Sequence, residues 1–143
     1  MDGSIRFAGV ANGFGRIVAS EYRKGVTPLL TLQESEMSVV ASVIRQEMRK
    51  VHEAKLGKTL YAVAAYEKVK RATIPMTKGS VLMVSFDILA DHESIILHKL
   101  LPFLKAHQLL EADITPYRPL MVSEKVPQGS AQADRGSSKS RRP

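Results

Sequence analysis

The sequence predicts an α/β chain of the α+β kind: a five-stranded antiparallel sheet with helices packed on it, in the order strand-strand-helix-strand-strand-strand-helix. Three observations carry this. Residues 31–57 hold Met37, Val40, Ala41, Ile44, Met48 and Val51 at helical spacing, with polar residues opposite. The segments on either side change to a period of two. The run Val81-Leu82-Met83-Val84-Ser85-Phe86 is nearly continuous apolar sequence, as in a strand covered on both faces.

Taken in order, residues 5–11 alternate loosely and read as the first strand. Gly9 lets another element pack close, and the long helix is the expected one. Asn12-Gly13-Phe14-Gly15 reads as a hairpin turn, because Asn-Gly tolerates the positive φ that tight hairpins need. Residues 16–22 return as the second strand, and Pro28 holds Thr27 out of helical geometry. The long helix starts at a capping box, Thr31-Leu32-Gln33-Glu34. Its apolar stripe needs a sheet to bury it, and Gly57 stands where a left-handed cap belongs.

Residues 59–66 alternate as the third strand, Glu67-Lys68 turn the chain, and 69–76 form the fourth, with Pro75 near its end. The most economical sheet order puts the fifth strand, 81–86, beside the first at the centre. Asp91 caps a second helix whose stripe is Ile96, Leu97, Leu100, Leu101 and Leu104. Pro102 predicts a kink or break near residues 98–101, because inside a helix it removes a hydrogen bond and clashes one turn back. Within residues 109–122, Thr115-Pro116-Tyr117-Arg118-Pro119 reads as extended. From Ser123 onward apolar residues nearly vanish, so 1–122 is expected to be a single domain and 123–143 a disordered basic tail.

The 143 residues suffice for one domain, and 44% hydrophobic with 24% charged is ordinary soluble composition. With no Cys, disulfides and thiolate chemistry are excluded. No signal-like start and no run of about 18 apolar residues is present, so the expectation is a cytoplasmic protein with no membrane contact. The net charge of +7 divides into +3 on residues 123–143 and +4 on the rest.

The segments Ile5-Arg6-Phe7-Ala8-Gly9-Val10, Lys24-Gly25-Val26-Thr27-Pro28-Leu29-Leu30, Leu56-Gly57 with Tyr61, and Lys68-Val69 resemble a family of short uncharacterised proteins from ammonia-oxidising archaea. The element order also resembles the roadblock/longin/profilin-like group. The resemblance covers roughly residues 4–88, and its motifs are structural rather than chemical. It implies dimerisation, partner-protein docking or regulation of small GTPases, and it carries over no catalytic residue. The initial helix of many roadblock domains has no counterpart, because the first strand starts near residue 4.

A search for chemistry returns little. Gly57-Lys58-Thr59 resembles the end of a phosphate-binding loop, but His52 stands where that loop needs Gly, and the tripeptide follows a helix rather than preceding one. His92-Glu93 begins like a zinc-protease motif, but Ile96 replaces the second His. Asp87 and Asp91 read more simply as a strand-end solvent contact and a helix cap than as a cation site. No catalytic residue, metal ligand or cofactor is expected.

The candidate interaction surface is basic: Arg45, Arg49 and Lys50 on the outer helix face, Lys55 and Lys58 beyond it, and Arg141 and Arg142 in the tail. A solvated face is the plain alternative. The main expectation is a non-enzymatic interaction or regulatory module with a protein partner, dimerising through a sheet edge or a helix face. Two further readings stand: a nucleic-acid-associated protein using these basic residues and the tail, and a small-molecule sensor whose pocket lies at Gly9, Ala62 and Ala64.

Overall fold

The computed structural model describes residues 2–117 and 119–120. The expected tail, with Arg141 and Arg142, lies outside the described residues.

Five strands form one antiparallel sheet: β1 (Ile5–Ala11), β2 (Ile17–Tyr22), β3 (Ala62–Ala65), β4 (Val69–Pro75) and β5 (Val81–Asp87). Their order is β2-β1-β5-β4-β3, so the apolar fifth strand is central and pairs with both β1 and β4. The helical elements are α1 (Leu32–Arg49), a 3₁₀ turn at Lys50–His52, α2 (Glu53–Leu56), α3 (His92–Ile95), a π turn at Ile96–Leu100 and α4 (Leu101–Ala106). Among the described residues, no helix is long and apolar enough to cross a membrane.

The two faces of the sheet differ. On one, α3, the π turn and α4 set Ile95, Ile96, Leu101 and Leu104 against Ile74, Val84 and Phe86. A bulge between Ile5 and Phe7 in the β1–β5 pairing turns Ile5 to this side as well. On the other face, α1 contributes Val39 and Val43, over Ala11, Val81 and Met83. The first core is large and branched, and the second is thin.

Local chemistry explains the boundaries. Thr31 and Glu34 make the reciprocal capping box, Glu34 N donating to Thr31 Oγ1 at 3.1 Å and Thr31 N to Glu34 Oε1 at 2.8 Å. Gly57 ends α2 with φ 90° and ψ 172°. That positive φ suits glycine, but it is not the left-handed helical cap the sequence suggested. The β1–β2 connection is looser than a two-residue Asn-Gly turn. Asn12 Oδ1 accepts from the amides of Phe14 and Arg16, and the positive φ falls on Gly15, at 82°.

Pro102 is accommodated without a break. The disturbance expected near residues 98–101 takes the form of the π turn ahead of it, whose wider coil makes room for the proline ring and its missing N–H while the backbone stays helical into α4. Beyond α4, the extended reading fails at Thr115–Tyr117, which forms a 3₁₀ turn. Asp113 Oδ1 accepts from Thr115 N at 2.9 Å, and the fixed φ of Pro116 suits such a turn. Gly9 also differs from expectation. A side chain there would meet the ring of Phe7 at 2.6 Å, so the glycine makes room for its own strand's aromatic and not for α1.

The largest departure concerns α1 itself. The stripe predicted to lie on the sheet faces outward: Met37 is 67%, Ile44 53%, Met48 66% and Val51 76% exposed. The buried residues of α1 are Val39, Ser42, Val43 and Gln46. The reason lies beneath the helix. This face of the sheet offers small or polar side chains such as Ala11, Thr73 and Ser85, and a small, partly polar helix face fits them more closely than methionine and isoleucine would.

Candidate interaction surface

The outward face of α1 and of the 3₁₀ turn that continues it carries Met37, Val40, Ile44, Met48 and Val51 in one row, about 21 Å long at 1.5 Å per residue. Nothing in the chain's described residues covers it. Its position is fixed at two points. The capping box holds the N-terminus of α1, and Val40 sits against the β1–β2 turn, 3.1 Å from where a Gly15 Cβ would stand. A contiguous exposed apolar row on a helix that already has a buried face on its other side is the kind of patch that marks interaction sites in soluble proteins.

The structure divides the basic set predicted from sequence. Arg45 and Arg49 lie on the flank of α1 that overlooks β3 and β4, and Arg71 of β4 joins them there. Arg71 Nη2 donates to Ser38 Oγ at 2.6 Å, and Arg45 Nη2 to Ser42 Oγ at 3.3 Å. Lys50 and Lys58 belong to the opposite flank, and exposed Lys55 lies on α2. Lys50 Nζ pairs with Glu47 at 2.6 Å. That hydrogen bond raises the Lys50 pKa above its ordinary value, with Glu53 and Glu111 adding to it through space. Arg141 and Arg142 lie outside the described residues.

The Lys50 flank borders a cavity of about 270 Å³, lined by Gln46, Glu47, Lys50, Glu53, Lys58 and Glu111 among others. Glu53 accepts from Thr59 N at 2.9 Å, which holds its carboxyl below the usual range. Gln46 is 4% exposed, and its Oε1 has no hydrogen-bond partner among the described residues. The pocket expected around Gly9, Ala62 and Ala64 is only a hollow of about 90 Å³ lined by Ala62 and Ala64 but not Gly9, whose space the Phe7 ring occupies.

Asp91 caps α3 as expected, Oδ1 accepting from Ser94 N at 3.1 Å. Asp87 is not a bare strand end. Arg23 grips it with two hydrogen bonds, of 2.7 and 3.2 Å, and Arg6 stands 3.7 Å away. Among the described residues, no group of three His, Asp or Glu side chains stands close enough to hold a metal ion.

Sequence reasoning missed the orientation of the stripe and the role of Arg71. One signal was available for each. Ser38, Ser42, Arg45 and Arg49 form a polar row along α1, marking that flank as distinct from the apolar one. Arg71 and Thr73 alternate with Ala72 and Ile74 in β4, so both face the α1 side.

Comparison with solved structures follows the topology. The chain matches a gliding protein, mglB, from Thermus thermophilus at 13% identity, covering 62% of this chain and 65% of that one, with a TM-score of 0.53. A roadblock/LC7 domain from Streptomyces avermitilis matches at 10% identity over 73% of this chain and 85% of the other, TM-score 0.55. A third, described as MglB with a tetrameric arrangement, matches at 16% identity over 73% and 80%, TM-score 0.53. No protein-family profile and no curated protein matches the sequence. At these identities the likeness shows the fold alone: a roadblock/LC7 fold of the MglB kind.

Proposed function

We propose that the chain is a non-enzymatic, cytoplasmic interaction or regulatory module that pairs with a second copy of itself through the outward stripe of α1. Residues 1–122 are the module and 123–143 an appended basic tail. The observation that carries the reading is the row Met37, Val40, Ile44, Met48 and Val51, held outward by a helix packed through its other face. A second copy is the occupant because the row is self-complementary, apolar along its whole length, and α1 presents the same face in each copy. The solved neighbour with a tetrameric arrangement supports an assembling role for this fold.

The magnitudes set the strength. Covering five side chains on each of two copies gains about 1–2 kcal/mol apiece, since each is already part-shielded. Association costs about 4–15 kcal/mol. The middle of the two ranges leaves a surplus of roughly 5.5 kcal/mol, and with a surplus between that and about 8 kcal/mol the dissociation constant lies between about 100 and 1 μM.

Because the chain has no cysteine, a single introduced thiol reports on the contact. Ile44 lies midway between Met37 and Val51, so it meets its own counterpart whether the two helices run parallel or antiparallel. Ile44→Cys is expected to form a covalent dimer under mild oxidation. Met37→Cys does so as well only in a parallel pair. No cross-linking of Ile44→Cys at concentrations above 100 μM, about the weak limit of the estimate, overturns the proposed interface.

A further inference from the structure

We infer that the hollow between α1, β3 and β4 is a binding site for a tetrahedral oxyanion, specifically a phosphoryl group. Three arginines line it: Arg45, Arg49 and Arg71. Two of their head groups are pinned by serines. Arg71 is held to Ser38 and Arg45 to Ser42, and those serines are one helical turn apart, about 5–6 Å between Cβ atoms. Arg49 follows Arg45 by one turn on the same row. The helix therefore holds two guanidinium groups side by side, with a third beyond them.

No aspartate or glutamate lines the hollow. Among the described residues, none of the three arginines has a carboxylate within ion-pair distance. Isolated surface cations such as Arg16, Lys24, Lys68 and Lys105 also lack one, but among the described residues the hollow is where three arginines gather without it; four other cations are paired. Arg23 and Arg6 share Asp87, Lys50 has Glu47, and Lys99 has Asp2. Three like charges gathered without a counter-charge repel one another, and an anion in the hollow relieves that repulsion. A phosphoryl group suits it because each guanidinium presents a planar fork of donors to paired oxygens. Ser42, which lines the hollow, accepts from Arg45 and keeps its own hydrogen to donate. The volume of about 90 Å³ has room for one small anion or for the phosphoryl end of a larger group.

This inference does not use the dimer reading. Ile44→Glu leaves the hollow untouched, so the two stand or fall separately. The test is calorimetric titration of the full chain with inorganic phosphate, with ionic strength matched by chloride. Saturable binding of one phosphate per chain is expected. Arg71→Gln and Arg45→Gln should each weaken it about tenfold or more. Lys55→Gln removes the same charge from α2, outside the hollow, and should change it by less than about twofold. Arg45 is an exposed helix residue, so its variant carries the test even if Arg71→Gln does not fold.

O-phosphoserine serves as a second probe. Binding as tight as phosphate or tighter assigns the site to a phosphorylated partner, and binding of phosphate alone assigns it to the free anion. Either supports the site. Heats that do not saturate, equal losses in Lys55→Gln and Arg45→Gln, or binding of an RNA oligonucleotide without binding of phosphate overturns it.

Discussion

Gln46 places a primary amide under α1, where it is 4% exposed with Oε1 unpaired. A buried carbonyl oxygen without a donor costs about 1–3 kcal/mol, whereas an apolar side chain of the same shape costs nothing of that kind. Gln46→Met is therefore expected to stabilise the chain by about 1 kcal/mol in urea unfolding. A neutral or destabilising result would show that the amide is bonded from the cavity side. Asp87 is the converse case. The Arg23 hydrogen bonds, and then the charges of Arg23 and Arg6, hold its carboxyl below the ordinary 3.8 despite some desolvation. A folded-state pKa below the unfolded one means that the stabilisation is complete above about pH 4 and is lost as pH falls through the folded value. Asp87→Asn is expected to lower the melting temperature modestly at pH 7, because its side chain is 40% exposed. The difference from wild type should shrink toward about pH 3, and a difference that grew with acid would contradict the assignment. At this scale the sequence was legible where partners are local. Thr31 with Glu34 and Asp91 with Ser94 follow from spacing alone. The grip of Arg23 on Asp87, 64 residues away, and of Arg71 on Ser38, 33 away, depends on register, which no local pattern encodes.

The elements were legible because period two and period 3.6 are strong signals and their punctuation was clear. The central placement of β5 followed from its apolar run. The capping box is predicted to matter: Thr31→Ala removes one half of it and is expected to cost about 1 kcal/mol in chemical denaturation, with Thr31→Ser retaining most of the stability. A loss below a few tenths of a kcal/mol would show that tertiary packing alone sets the start of α1. Two elements escaped the reading for a shared reason. The π turn before Pro102 and the 3₁₀ turn at Thr115–Tyr117 are backbone adjustments around proline, and the sequence shows where proline disturbs a helix without showing which adjustment is cheapest. The α1 stripe is a different kind of error. Periodicity finds the most apolar face of a helix, but which face meets the sheet depends on the shape beneath it. Ala11, Thr73 and Ser85 favoured Val39, Ser42 and Val43 over the longer side chains.

At the scale of the molecule, the sheet is anchored on one side by a large aliphatic core and covered on the other by a helix that keeps its best apolar residues outside. The two arrangements divide the labour. The α3–α4 side stabilises the fold, and the α1 side displays a surface. On that surface the apolar row lies next to the arginine flank, so one helix presents both the stripe proposed to pair with a second copy and a charged hollow beside it. Of the basic residues read from sequence as one set, Arg45 and Arg49 lie on one flank of this helix and Lys50 follows it on the other, rather than all three on one outer face. A charge count along the chain could not show that, because flanks are separated only once the helix is seated. The most direct test of the central claim is the mass of the full chain by light scattering, from about 1 μM to well above 100 μM, the range the dissociation estimate spans. The account predicts a rise from 15.8 kDa toward twice that value, abolished by Ile44→Glu with the fold retained. A constant 15.8 kDa across the whole range, or a dimer indifferent to Ile44→Glu, would contradict it.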